Sequence, residues 1–410
     1  MTSIISKLGL IADSLLRPNF ESSDRMRHVN NLRVLGLSTF ALRKLEDKRA
    51  PCSWVSSVTL ISYMFSALLL FLLLLSGCTG QKQNQTTIVN VASVQANTTT
   101  NQTTNSLTAQ TPPISKMQKG VSLSPKSYNS SDFTNFFVKA KQTGTIISWA
   151  GDWKEMENEQ NGGPKVITEL ASTYNYTPLV EAQFFTQSTG QLLRPLNSST
   201  KQSYKESAAR FAEKYKPAYL GIGIEVNVLY EKSPNDFDDF VQFYPEVYDA
   251  VKAKSPNTRV FTIFQLEKMK GMNGGLFGGK NDQNKTQWLL LNKFQKSDII
   301  AFTTYPGLVY GNPSEIPSNY YSEIRNYTSK PIVFTEIGWH SVASPDGWES
   351  SEAEQAEFVT VFFNLTNSLN SEFVVWSFMY DPNTIEPFNS MGLWSSNENA
   401  KAVWNAWMNS

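Results

Sequence analysis

Cysteine and histidine are almost missing from this chain of 410 residues, with two of each. Both cysteines, Cys52 and Cys78, precede Lys116, so everything after that residue lacks a disulfide, a thiol nucleophile and any cysteine-based zinc or iron-sulfur centre. With His28 and His340 as the only histidines, a histidine-rich catalytic metal site is excluded, and no metal or cofactor is called for. A Ser-His-Asp hydrolase would have to use His340, and no Gly-x-Ser-x-Gly elbow exists to partner it. A glycine-rich phosphate loop after the first strand is also missing, which counts against a dinucleotide-binding sheet. Charge of either sign is not in excess: 36 Lys and Arg balance 36 Asp and Glu, so nucleic acid is not an expected partner.

What is abundant is unevenly distributed. Residues 1-53 are polar, with nine Lys/Arg against five Asp/Glu, and form a cytoplasmic segment or a misassigned leader. Residues 54-78 contain an uncharged, Leu-rich run from Ser57 to Gly77, close to the ~20 residues that span a bilayer as a helix. Basic residues before the run, Lys48 and Arg49 among them, keep the N-terminus inside and send the rest to the outer face of the membrane. The run ends Leu75-Ser-Gly-Cys78, which resembles the lipobox of prokaryotic lipoprotein signals and implies lipidation of Cys78. An uncleaved signal anchor is the other version, and either one tethers the chain. Residues 79-115 shift to Ser, Thr, Asn and Gln with almost no charge, the composition of a spacer that has too little apolar surface to fold. Nine Asn-x-Ser/Thr sequons, from Asn84 to Asn364, agree with an exported surface.

From residue 116 to 410 eight apolar, β-branched runs recur: 120–123, 145–149, 178–185, 219–225, 259–266, 299–305, 331–337 and 373–380. Helical patterns separate most of them, as at 201–215, 236–254, 352–368 and 400–408. Strands alternating with helices imply a parallel sheet, and eight units in one domain predict an α/β fold of the (β/α)8 TIM-barrel type. Two of the runs end in a carboxylate, Glu225 on the fourth and Glu336 on the seventh. They lie 111 residues apart, about three barrel units, which places both on one rim. Two carboxylates facing one cleft are the equipment for cleaving a glycosidic bond.

The order Glu225, Tyr305 closing the sixth run, Thr335-Glu-Ile-Gly-Trp339 after the seventh and Trp376 on the eighth resembles the clan A glycoside hydrolases. The motif is nearest to their endo-β-1,3-glucanase and endo-β-1,4-galactanase branches, and the resemblance covers residues 116-410. It implies a retaining glycosidase acting on a β-linked oligo- or polysaccharide, with Glu225 as general acid/base and Glu336 as nucleophile. Tyr305, Trp376, Trp149, Trp153, Asn227, Trp339 and His340 are the candidate contacts to the carbohydrate. Gln265, Glu267 and Asp381 stand at strand ends too, open between sugar contact and plain surface. The sequence departs from the clan at Ile224, where an Asn usually precedes the acid/base and holds the sugar 2-hydroxyl; here the Asn stands at 227. That departure keeps a second reading open, a barrel that binds carbohydrate at the envelope without efficient turnover. A monomer is expected.

Overall fold

The computed structural model describes residues 117–342 and 347–410. The leader, the Ser57–Gly77 run, Cys78 and the spacer lie outside the described residues.

Nine strands form one all-parallel sheet: β1 Gln118–Ser122, β2 Ile146–Asp152, β3 Thr177–Gln183, β4 Tyr219–Ile222, β5 Arg259–Phe261, β6 Ile263–Gln265, β7 Ile300–Thr304, β8 Ile332–Ile337 and β9 Phe373–Trp376. Their order is β5-β4-β3-β2-β1-β9-β8-β7-β6. The two ends of this order, β5 and β6, are consecutive in the chain and separated only by Thr262. They are two halves of one strand, so the sheet closes on itself as an eight-stranded (β/α)8 TIM barrel. The seam is stitched at Gly223, whose carbonyl accepts from Ile263 N at 3.1 Å and Thr262 Oγ1 at 3.2 Å. A short parallel pair, β10 Phe378–Tyr380 and β11 Gly392–Trp394, follows the last barrel strand.

Helices cover the outside because their apolar residues recur at the helical period. In α1 (Ser130–Thr143) Phe133, Phe136, Phe137 and Ala140 are the buried face, and the Asn129 side chain caps the start by accepting from Asp132 N. Each of the other helices also buries side chains: α2 (Gly163–Tyr174), α3 (Ser198–Tyr215), α4 (Val226–Lys232), α5 (Pro234–Lys254), the single turn α6 (Leu266–Met269), α7 (Glu352–Thr366) and α8 (Ala402–Asn409), with side-chain caps from Asn197 on α3 and Ser351 on α7. Between β6 and β8 the cover is reduced to α6 and 3-10 turns such as Trp288–Phe294 and Ser322–Asn326. Among the described residues no helix is long and apolar enough to cross a membrane.

Strand parity divides the core in two. One set fills the barrel: Ile146, Leu179, Phe261, Ile263, Ala301, Val333, Phe373 and Val375 pack on one another, with Ile224 above them. The alternate positions, among them Ile147, Val180, Leu220, Val260, Phe302, Phe334 and Trp376, pack against the helices. Both faces of each strand are therefore dry, which is why the strands read as continuous apolar runs rather than alternating ones.

Candidate active site

Glu225 does not end its strand. β4 stops at Ile222, and Gly223 and Glu225 both take left-handed backbone conformations, φ 83° and φ 55°. Glycine accepts this freely, and a Cβ at 223 would fall 2.8 Å from Val226 and 2.9 Å from Phe184. A glutamate in that region is strained, and non-glycine strain of this kind gathers at functional sites. The distortion turns the chain directly from β4 into α4. Gln183 holds the turn from β3: its Nε2 donates to Ile224 O at 3.1 Å, and its Oε1 accepts from Ile224 N at 3.4 Å. Glu225 is thereby buried to 3% exposure, and Thr303 Oγ1 of β7 donates to its Oε1 at 2.6 Å.

Glu336 reaches the same place by a different irregularity. Along β8, Val333 faces the barrel interior and Phe334 faces the helices, so simple alternation would send Glu336 outward with Phe334. A β-bulge intervenes. The pairing of β7 with β8 runs Phe302 to Phe334 and then Thr303 to Glu336, with Thr335 as the extra residue, and the register with β9 shifts over the same span. Glu336 therefore stands beside Thr303, which itself holds Glu225, and the two carboxylates flank one threonine. Tyr305 completes the group, its hydroxyl 2.7 Å from Glu336 Oε2 and 2.8 Å from Ser377 Oγ, while Ser377 Oγ also donates to Ile337 O at 2.7 Å.

The surroundings push both carboxyls up. Burial raises Glu225 to about 8; the Thr303 hydrogen bond opposes this, and the nearby charges of Glu336 and Glu267 add to it. Burial raises Glu336 to about 7, opposed by the Tyr305 hydroxyl, and Glu336 keeps an edge open to solvent that Glu225 lacks. The charge of Glu336 raises Glu225 further, so a proton held by the pair favours Glu225 and leaves the charge on Glu336. An acid and an anion facing each other is the division that retaining glycoside cleavage requires.

The other candidates are distributed differently. Asn227 is fully buried and its amide is committed to the fold: Nδ2 donates to Gln265 O at 3.0 Å and Gln287 Oε1 at 2.8 Å, and Oδ1 accepts from Gln265 N at 2.8 Å. It ties α4 to β6. Trp149 lies over Gly163 at the start of α2, and Trp153 stacks on Tyr204 of α3 at 4.6 Å. Trp376 has outward parity and packs on Phe358 and Trp407, with its Nε1 donating to Met391 O at 2.8 Å. Trp339 stacks between His340 and Phe358, and His340 Nε2 is 3.3 Å from Trp348 O. All four tryptophans sit in the layer outside the barrel. Asp381 pairs with buried Lys401 at 2.6 Å and fastens the β10-β11 segment. Gln265 holds an inward-facing position on β6 with its Oε1 unpartnered. Glu267 is fully buried and its Oε1 accepts from Thr304 Oγ1 (2.7 Å), Tyr305 N (3.1 Å) and Tyr320 OH (2.9 Å), so it sets the backbone that presents Tyr305.

Three residues escaped sequence reasoning: Thr303, Gln183 and Glu181. The last is a carboxyl with zero exposure in the middle of β3, and a charged residue inside an apolar run was the available signal.

No known family profile matches the chain, and no curated protein matches it. Solved structures do. The barrel superposes on xylanase 10B from Thermotoga maritima with a TM-score of 0.51 and 11% identity, covering 72% of this chain and 94% of that one. A family 39 glycoside hydrolase from the gut symbiont Bacteroides cellulosilyticus gives 0.50 and 16%, covering 71% of this chain and 62% of that one. An exo-β-1,4-mannosidase from an Opitutaceae bacterium gives 0.50 and 11%, covering 72% and 58%. The chain thus spans less than two thirds of the length of the last two. At these identities the likeness is one of fold alone, a (β/α)8 barrel that these three glycosidases share.

Proposed function

We propose that this barrel is a retaining glycoside hydrolase acting on a β-linked oligo- or polysaccharide. The observation that carries the reading is the meeting of Glu225 and Glu336 across Thr303, one delivered by a left-handed turn and the other by a bulge. In the first step ionised Glu336 attacks the anomeric carbon as the neutral carboxyl of Glu225 gives its proton to the departing oxygen. In the second, Glu225, now a carboxylate, takes a proton from water as that water displaces Glu336 from the sugar. Tyr305 steadies the charge on Glu336 before attack, and as charge leaves Glu336 its hydroxyl can turn to Ser377.

Azide separates the two roles. Glu225→Ala retains slow cleavage of an activated aryl β-glycoside, and azide accelerates it to give a glycosyl azide of retained configuration. Glu336→Ala is nearly inert, and azide there gives the inverted product. Products of the opposite stereochemistry would reverse the assignment.

A second reading is favoured by Ile224, which packs into the apolar barrel interior below the acid, and by the four tryptophans turned away from the cleft. In that reading the barrel binds carbohydrate at the envelope with little turnover. Oligosaccharide binding by a protein inert on every glycoside tried would establish it.

The chain is proposed to act at the outer face of the cell membrane, tethered through Cys78 or the Ser57–Gly77 run. Cys78→Ser tells these apart: unchanged mass and membrane retention would eliminate the lipid.

A further inference from the structure

The barrel holds a third carboxyl that the reaction above does not use. Glu181 lies on β3 between Ala150 of β2 and Gly221 of β4, small neighbours that leave its side chain the barrel interior. A Cβ at 221 would stand 3.6 Å from Glu181 Cγ, already in contact. The residue has zero exposure and neither carboxyl oxygen has a hydrogen-bond partner. Going round the ring, β3 and β8 are four strands apart and therefore face each other across the barrel, and alternate strands supply side chains to the same interior layer. On the β8 wall the matching group is Thr335, the extra residue of the bulge, whose buried Oγ1 is likewise without a partner. Ser148 of β2 stands beside Glu181 as well, its hydroxyl given to Ser122 Oγ at 2.9 Å, which leaves it lone pairs to accept with.

Burial outweighs the two hydroxyls within reach, those of Thr335 and Ser148, and pushes the Glu181 carboxyl up towards its neutral form, one O–H donor and one carbonyl acceptor. Glu336 is the titratable group that acts on it; β2 offers Ser148 and Ala150, and β4 offers Gly221. Neutrality of Glu181 removes a like charge from the neighbourhood of Glu336. We propose that Glu181 is a positioning residue, a neutral carboxylic acid that crosses the barrel to the hydroxyl of Thr335, braces the bulge there and so fixes the direction in which Glu336 enters the cleft.

The kinetic part of this inference rests on the glycosidase reading, and the spectroscopic part does not. In the full-length protein at pH 7, the infrared carbonyl-stretch band of a neutral carboxylic acid should include a component that Glu181→Gln removes. Carboxyl carbon NMR should show the Glu336 titration falling by a unit or more, from about 7 towards its ordinary 4.5, in Glu181→Leu and Thr335→Val, as the unbraced side chain swings to solvent. Glu181→Gln, which keeps a donor and an acceptor, should restore it. On an activated aryl β-glycoside the same two variants should lose at least tenfold in kcat with KM within threefold, and Glu181→Gln should recover kcat to within about threefold. A protein without turnover would remove the glycosidase reading and leave the infrared and NMR results to decide. A neutral-acid band unchanged by Glu181→Gln, or a Glu336 titration unmoved in Glu181→Leu, would overturn the inference.

Discussion

Replacing Glu225 by Gln should stabilise the fold by an amount that grows with pH. Glu225 is held up to about 8 from an ordinary 4.5, so between those values the folded protein keeps a proton that the unfolded chain has released. The native state then binds more protons than the unfolded one, and stability falls as pH rises through this window. Integrated over the shift, the penalty is under about 1 kcal/mol at pH 5, about 3 kcal/mol at pH 7 and about 4–5 kcal/mol by pH 9. Gln is neutral throughout, and its carbonyl can still accept from Thr303, so it loses little that the fold uses. For a barrel of this size about 2 °C of melting temperature accompanies each kcal/mol, which gives a gain of about 6 °C at pH 7 and under about 2 °C at pH 5. Thermal unfolding of the full-length protein and its Glu225→Gln variant at pH 5, 7 and 9 measures this. A gain independent of pH, or a variant less stable than the parent at pH 9, would refute a buried, proton-holding Glu225.

The activity of the parent should be bell-shaped in pH, with an acid limb near 7 as Glu336 loses its charge on protonation and a basic limb near 8 as Glu225 loses its proton; kcat/KM against pH checks both limbs. Tyr305→Phe removes the hydrogen bond that holds Glu336 down, so the acid limb should move up and kcat should fall by roughly 10- to 100-fold, with the limb position as the decisive reading. Asn227→Ala should leave Gln265 N unpaired in the core and cost about 2 kcal/mol or more of stability in urea unfolding, whereas a residue serving mainly as a sugar contact would raise KM and leave stability intact.

Much of the barrel was legible because its strands are buried on both faces. Ile332-Val-Phe-Thr-Glu-Ile337 and Ile300-Ala-Phe-Thr-Thr304 advertise themselves as continuous apolar or β-branched runs, and the eight runs fall where β1 to β9 lie. The same continuity hid the faces. In a strand that is apolar throughout, composition does not say which side chain enters the barrel, and Trp376 packs on Phe358 and Trp407 among the helices. Parity counted back from the carboxylate would have failed too, because Glu336 itself is out of phase with β8.

That failure has a physical origin that bears on the site. A regular strand can offer the interior only every second residue, and along β8 those places are Val333 and Thr335; a carboxylate at 336 joins them only if one residue is inserted without a partner. On β4 the interior position beyond Gly221 is itself a turn, and Glu225 enters through a backbone conformation that side chains disfavour. Both carboxylates are thus carried by departures from regular structure, which a period-based reading of the sequence treats as noise. The groups that make the departures tolerable, Gln183 on the Ile224 backbone and Thr303 between the two acids, are ordinary polar residues with no motif of their own. Only the three-dimensional register shows that they hold the two carboxyl groups to one threonine.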